Sequence, residues 1–532
     1  MPVGAEKRQP DDFIFNYKGL PISIIMNKKM LTRRARQISQ LLFLALFLFL
    51  FRQTDYTGQD TIPYAVNLFF RWDPLVAVTV MLATRTLIFL LLPALFVVGL
   101  TMVLGRVFCG WICPLGTLLD GAGHVIRPVI RPDRPKRYLK YVILTVVLVS
   151  AAFGLQLTGW VDPFAILVRG LAIAVDPLLN ALITSGFDTI YFHGPDWATA
   201  VSEPLYDVFK DFILPYKQSY FLWPVISFGL LAGVFGLELL GRRFWCRNVC
   251  PLGAMLALVS RFSFFRRRPL LACKGCGDCH DNCRMRAFDD NHRMMAEECN
   301  LCLDCLEYCP KGITSFGFSR PVNKTSMDMS RRRLVGAGLT GLFLPFLFKI
   351  DAAAGKTTRK ILRPPGALDE EAFLNTCVRC GECMKVCIQN ALQPVYLEQG
   401  LESVFTPRLL PRPGYCEFNC TLCGQVCPTG ALERLSLAEK HAFVIGRAVF
   451  DKNRCLPYAA ATPCIVCEEH CPVSEKAIQF EQVSAAGPDG RPVSLKRPYV
   501  VTDRCIGCGI CENVCPLPGP AAVRVYPAEQ ES

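Results

Sequence analysis

Long apolar runs fill the first half of the chain and are nearly absent from the second. Four runs are long enough to cross a bilayer: about Ile38–Phe51, Leu87–Leu104, Tyr141–Leu157 and Phe221–Leu240. A shorter fifth run follows the arginines Arg331, Arg332 and Arg333 and ends in the small residues Ala352, Ala353 and Ala354. The pattern predicts a four-span helical bundle followed by a signal or anchor helix. Residues near 165–185 read as an amphipathic helix lying on the outer surface. Basic residues crowd the ends of alternate runs: Arg33, Arg34 and Arg36; Arg127, Arg131, Arg134, Lys136 and Arg137; Arg242, Arg243 and Arg247. The loop from Gly159 to Ser219 is acidic by contrast, with Asp162, Asp176, Asp188, Asp196, Glu203, Asp207 and Asp211. Cytoplasmic loops of membrane proteins are enriched in Lys and Arg. The N-terminus, the middle loop and the residues after the fourth run are therefore expected inside.

The apolar half repeats itself. Trp72-Asp73-Pro74 precedes a run that ends in Gly105-Arg106-Val107-Phe108-Cys109 and then Cys113-Pro114-Leu115-Gly116. Trp160-Val161-Asp162-Pro163 precedes a run that ends in Gly241-Arg242-Arg243-Phe244-Trp245-Cys246 and then Cys250-Pro251-Leu252-Gly253. Two pseudo-symmetric helix pairs are expected, with Cys109, Cys113, Cys246 and Cys250 facing one another across the axis. Four thiols so placed suit a four-thiolate metal site, a second kind of cluster or a redox-active dithiol; buried reduced cysteines that merely pack are the alternative. At the outer ends, Trp72, Asp73, Trp160 and Asp162 are candidates for a quinone site, in which a carboxylate beside an aromatic takes a proton from a quinol. The plainer reading is that Asp-Pro starts a turn and Trp sits at the interface.

Cysteine changes the picture most. The 532-residue chain has 28 cysteines, 52% hydrophobic residues and a net charge of +13. Disulfide scaffolds of that cysteine density are small secreted domains. Here the spacing is that of iron–sulfur ligation instead. Cys273, Cys276, Cys279 and Cys283 precede Cys299, Cys302, Cys305 and Cys309, the run of a bacterial two-cluster ferredoxin in which each fourth cysteine serves the other cluster. Cys276-Gly-Asp-Cys279-His280 also matches a c-type haem site, but both thiols are already used. Four further quartets follow: Cys377, Cys380, Cys383, Cys387; Cys416, Cys420, Cys423, Cys427; Cys455, Cys464, Cys467, Cys471; and Cys505, Cys508, Cys511, Cys515. Spacing alone does not say whether these pair as neighbours or nested. Six [4Fe–4S] clusters are expected in all. After each of these quartets an Ala-Leu, Ala-Ile or Ala-Val pair leads to a short strand (Ala391-Leu392, Ala431-Leu432, Ala477-Ile478, Ala522-Val523), the α+β ferredoxin pattern.

The basic residues flank apolar runs and do not interleave with aromatics, so no nucleic-acid partner is expected. The polar stretch from Met1 to Gln37 predicts no ordinary secretory signal. No dinucleotide fingerprint, P-loop or flavin signature is present, and His124, His193, His292, His441 and His470 stand singly. The resulting division is 1–37, an N-terminal cytoplasmic segment; 38–260, the membrane domain; 261–329, a two-cluster ferredoxin; 330–354, the signal or anchor helix; and 355–532, a four-cluster ferredoxin domain.

On these motifs, residues 1 to about 320 resemble the NapH family of membrane ferredoxin-type quinol dehydrogenases. Residues 330–532 resemble the NapG/MauM family of four-cluster periplasmic ferredoxins, with Ser330-Arg331-Arg332-Arg333-Leu334-Val335 similar to a twin-arginine export signal. The chain departs from the pattern in having Arg284 where a proline usually follows the quartet, and in the internal position of the signal. The resemblance implies an inner-membrane protein that takes electrons from the quinone pool to a periplasmic reductase or cytochrome, with membrane partner subunits allowed for. Its first ferredoxin module would be cytoplasmic and its second periplasmic. Related elements in NosR- and CcoG-like proteins imply the other reading, a redox maturation or assembly factor for a metalloenzyme.

Overall fold

The computed structural model describes residues 22–126, 128, 136–212, 214–269, 276–289, 293–309, 314–319, 329–353, 361–397, 400–486 and 492–528. Cys273, Arg127, Arg131, Arg134, His292 and Ala354 lie outside the described residues.

The first half of the chain is helical. Its elements are α1 (Ile22–Gln53), α2 (Pro74–Thr84), α3 (Ala94–Leu104), α4 (Pro114–Val125), α5 (Tyr138–Ala152), α6 (Pro163–His193), α7 (Asp196–Phe212), α8 (Pro224–Gly236) and α9 (Pro251–Ser260). Four of them start by one device used twice at each end of the bundle. Asp73 caps α2 by accepting from the amides of Leu75 (2.7 Å) and Val76 (3.3 Å), and Asp162 caps α6 through Ala165 (2.8 Å). Cys113 and Cys250 cap α4 and α9 with their sulfurs, which accept from Gly116 (3.4 Å) and Gly253 (3.2 Å). A proline follows each cap, where its missing N–H costs nothing and its φ is already helical.

All four expected runs fall on helices, three of them shorter than a span: Phe89–Leu104, Tyr138–Ala152 and Pro224–Leu240. Among the described residues, two helices are long and apolar enough to cross a membrane, Leu31–Gln53 and Pro163–His193. Only the first was expected. Leu87–Leu104 is broken at Pro93 into a short 3₁₀ turn and α3, and α5 ends at Ala152, short of the expected Leu157. The expected surface helix near 165–185 instead forms the front of α6, whose residues Pro163–Gly170 are all buried. The short helices α2 and α9 are also largely buried. An apolar helix of 10–14 residues is what a core or re-entrant segment looks like, and a span-length window overlooks it.

Two antiparallel strands, β1 (Phe265–Pro269) and β2 (Thr314–Phe318), frame the first cysteine-rich module, with Phe265 opposite Phe318. After it comes α10 (Arg331–Ala353), which runs parallel to α5: Arg333 stacks over Tyr138, and Ser150 Oγ donates to the Gly341 carbonyl at 3.0 Å. A Cβ on Gly341 would press on Val149 at 2.9 Å, so the small residue sets how closely the two helices meet. The second module contains β3 (Leu392–Pro394) with β4 (Pro407–Leu409), β5 (Gly446–Phe450) with β8 (Val523–Pro527), and the hairpin β6 (Ile478–Ala486) with β7 (Pro492–Val500). Three of these strands begin at the expected Leu392, Ile478 and Val523.

The modules sit at opposite ends of the span-length segment of α1, Leu31–Gln53. Near the start of that segment, Arg36 pairs with Asp304 of the first module at 2.5 Å. Just past its end, Asp55 pairs with Lys385 of the second at 2.6 Å. Nineteen residues separate Arg36 from Asp55 in the sequence, roughly 30 Å at the helical rise of 1.5 Å, about the thickness of a bilayer's hydrocarbon core.

Candidate iron–sulfur centres

All described cysteines are free thiols. In the second module they gather into four groups, each made of three cysteines from one quartet and the last of its neighbour. Cys377, Cys380, Cys383 and Cys427 line one cavity. Cys387 joins Cys416, Cys420 and Cys423, which lie within electrostatic reach of one another. Cys471, Cys505, Cys508 and Cys511 line a second cavity, and Cys455, Cys464, Cys467 and Cys515 a third. The quartets therefore pair as neighbours and exchange their fourth cysteines. In the first module Cys283 lines a cavity with Cys299, Cys302 and Cys305, as expected from the same exchange. Of the other expected set, Cys309 is buried, Cys276 is exposed and Cys273 is not described.

The loops are built to hold thiolates. Gly381, left-handed at φ 88°, follows the second cysteine of its triplet and opens the short helix that carries Cys383. Backbone amides donate to sulfur after the fourth cysteines: Ala287 to Cys283 at 3.3 Å, Leu432 to Cys427 at 3.4 Å and Ala522 to Cys515 at 3.5 Å. Such N–H donors favour the charged sulfur. Burial opposes it, pushing the Cys467 thiol up to about 12 and Cys508 to about 11. Ligation has to displace those protons, so a bound metal is what makes the sites thiolate. Among the described residues no three His, Cys, Asp or Glu side chains converge closely enough for a single ion. A cubane holds its ligands farther apart than a zinc ion does, so the donor set and its spread suit [4Fe–4S].

The four groups are connected in series. The Cys416 amide donates to the Cys508 carbonyl at 2.9 Å, joining the two halves of the module. At the near end, the Cys377 group is pressed on the bundle. Val378 and Cys380 enter the same apolar core as Leu75, Val76, Phe164 and Ala165, the residues that flank Asp73 and Asp162. A Cβ on Gly159 would collide with the Val378 carbonyl. Arg169 donates to the carbonyls of Gly159 (2.7 Å) and Arg379 (3.0 Å), and Arg379 in turn reaches the Gln156 carbonyl.

Asp73 and Asp162 meet inside the bundle. Both are fully buried, their carboxylates interact directly, and no other residue donates to Oδ2 of Asp73 or Oδ1 of Asp162. The same carboxylates cap helices, so each Asp-Pro starts a helix. Trp160 packs edge-on against Phe405 of the second module at 5.2 Å. Trp72 packs against Phe96 at 5.5 Å. Pattern reading missed Lys385, Arg379 and Arg169, whose role depends on a partner far away in sequence. Arg284 did carry a signal, as the residue in the usual proline's place. It pairs with Asp120 of α4 at 3.0 Å and with Asp304, tying the first module to the bundle.

Fold and sites define a multi-cluster iron–sulfur electron-transfer protein. Comparison with known proteins agrees. A 4Fe-4S binding domain matches residues 86–132 and 221–269, a 4Fe-4S dicluster domain matches 376–431, and another 4Fe-4S binding domain matches 496–517. The methylamine utilization ferredoxin-type protein MauM of Methylorubrum extorquens is 36% identical over 214 residues, 40% of this chain and 93% of that protein. The ferredoxin-type protein NapG of Escherichia coli is 38% identical over 169 residues, 31% of this chain and 70% of that protein. The putative electron transport protein YccM of E. coli is 28% identical over 273 residues, 49% of this chain and 63% of that protein. No solved structure matches. The chain belongs to the MauM/NapG family of ferredoxin-type proteins, with an apolar helical half joined to it.

Proposed function

We propose that the protein is a membrane-bound quinol dehydrogenase fused to its own electron carrier. The observation that carries this reading is the placement of two cysteine-rich modules at opposite ends of a bundle one bilayer thick, with the Cys377 group seated beside a buried carboxylate pair. Quinol docks near Asp73 and Asp162, which take its protons. Its two electrons leave singly through the groups of Cys377, Cys416, Cys508 and Cys467 to a periplasmic acceptor, a reductase or a cytochrome. On this route electrons reach the second module without crossing the bilayer, because its first centre lies at the quinol end. Exposed Leu41, Leu42, Phe49, Phe96, Phe228 and Phe346 give the bundle an apolar outer surface suited to lipid. Helix α10, packed along α5, serves as a permanent anchor that carries the second module outside.

Each [4Fe–4S] cluster supplies a one-electron couple when bound. The chain's residues supply ligands, insulation and a place for protons. The reading is tested in anaerobic membrane vesicles by adding a reduced quinol analogue and following cluster bleaching, with protease access to residues 365–532 measured from either side. Bleaching together with cleavage from the periplasmic face is expected. Clusters that stay oxidised under excess quinol, in protein reducible by dithionite, would refute it.

A further inference from the structure

Neither ferredoxin module uses the four cysteines of the repeated Cys-Pro motifs. Cys109 rides on one π-helical turn, Phe108–Ile112, which leads into Cys113; Cys246 rides on the other, Trp245–Val249, which leads into Cys250. Every pair among the four thiols lies within electrostatic reach. Two arginines, Arg106 and Arg243, are fully buried beside them. Arg243 is committed: it donates to the carbonyls of Cys109 and Gly116, both at 2.9 Å, and to Asp120 at 2.7 Å. Arg106 is only half committed. Its Nη1 donates to the Glu297 carbonyl at 3.1 Å and lies 3.9 Å from Glu298, while Nε and Nη2 have no partner. Nη2 lies 2.9 Å from where a Cβ on Gly253 would stand, on the thiol side. Buried donors left unmet cost about 1–3 kcal/mol each, so a fold that keeps them has an anion for them to face.

We propose that Cys109, Cys113, Cys246 and Cys250 together hold one further [4Fe–4S] cluster, shared between the two repeats. Each repeat brings two thiols, so neither can hold a cubane alone, although each matches a 4Fe-4S binding domain separately. A single zinc would need all four sulfurs about 2.3 Å from one point, and the thiols do not converge so tightly. An oxidised four-thiolate cubane carries a charge of about −2, which the two arginines balance. The site also faces another centre. Gly110 packs on the Asn300 backbone, and Trp111 Nε1 donates to the Leu301 carbonyl at 2.9 Å, so the first π turn lies on the loop between Cys299 and Cys302. The cluster is thus a one-electron relay between the first module and the bundle; no bond is made or broken and no proton moves.

The inference stands apart from the quinol reading and is tested without turnover. Iron and acid-labile sulfide are counted in anaerobically purified full-length protein. About 28 irons per chain are expected, against about 24 if only the six ferredoxin-type clusters are present. The C109S/C246S variant is expected to lose about four irons and one EPR component of the dithionite-reduced protein. R106Q is expected to keep the iron and shift that component's midpoint potential downward, since it removes a cation facing the cluster. A parent count of about 24 overturns the proposal with no variant needed. So does a Cys109–Cys113 or Cys246–Cys250 disulfide found by alkylation and mass spectrometry, which would make the site a redox dithiol.

Discussion

Lys385 is the residue on which attachment of the second module to the bundle most depends. Its ammonium is 2.6 Å from Asp55 Oδ1, 3.3 Å from Asp176 and 4.3 Å from the centre of the Phe51 ring, with only 2% of the side chain exposed. Burial pushes the Asp55 carboxyl up even with this lysine beside it. The pair is therefore held against a desolvation cost, and removing one partner is the damaging change. K385M keeps much of the side chain's length and apolar stem. It leaves Asp55 only the partly exposed Arg52, 2.5 Å from its other oxygen, so the loss falls at the lower end of the about 3–5 kcal/mol of a broken buried pair. Protonation sets a ceiling: at pH 7, neutralising a carboxyl whose ordinary value is near 3.9 costs about 4 kcal/mol. In K385M the docked Asp55 binds a proton that the solvated residue releases. Docking then weakens as pH rises and recovers by about 1.4 kcal/mol per unit of acidification down to about pH 4. The assay is native-state proteolysis of the docking loop around Val404–Thr406 in full-length, cluster-loaded protein, where cleavage tracks the open population. K385M should be cleaved roughly a hundred- to a thousandfold faster at pH 7, with the excess shrinking at pH 5.5. K385M/D55N should recover part of the loss, because the uncompensated charge is gone. An unchanged rate, or an increase that ignores pH, refutes the ion-pair account and leaves packing as the cause.

Three other outcomes follow from the same geometry. D73N or D162N should slow cluster reduction by quinol roughly 10²–10⁴-fold with iron content unchanged, as measured by stopped-flow bleaching, because a positioned proton acceptor is lost. C427S should remove the EPR component shared with C377S and C380S, and leave that shared by C416S and C420S; the opposite grouping would contradict the exchange of fourth cysteines. G341L should force α10 away from Val146 and Val149 at a cost of about 1–3 kcal/mol, seen as a lower melting temperature or release of α10 from detergent-purified protein.

The ferredoxin modules were legible because ligand chemistry is written locally. Three thiols within seven residues describe one loop, and the loop describes its cluster. What spacing could not give was which quartet lends its fourth thiol to which; that depends on the Cys416–Cys508 backbone contact and on strands β5 and β8, which bring residues 446–450 to 523–527. In the bundle the repeat and the helices at the four apolar runs were legible, and the short helices between them were not. A hydropathy window rewards length, whereas α2 and α9 are short helices buried by their neighbours and started by caps. The Cys377 group, about three hundred positions after Asp73, packs on this end of the bundle, and nothing local in Trp72-Asp73-Pro74 points to it.

The repeat itself explains where chemistry gathers. Asp-Pro begins a helix at one end of the bundle, and Cys-Pro begins a helix at the other. A helix-starting residue needs an acceptor for the first amides, so Asp and Cys are each fixed in place by a structural duty before any functional one. Duplication then does what one copy cannot. The two caps of each kind approach each other, Asp73 with Asp162 and Cys113 with Cys250, so like meets like. At the Asp end this yields a carboxylate pair that cannot comfortably carry two charges, hence a site with room for a proton. At the Cys end it yields four thiols where each half had two, hence a site with enough ligands for a cluster. Each pair also faces a module loop: Val378–Cys380 on one side, Asn300–Cys302 on the other. Substituting one cap of a pair should therefore impair its functional site far more than it destabilises the helix it begins, because the other half of the site is left facing nothing.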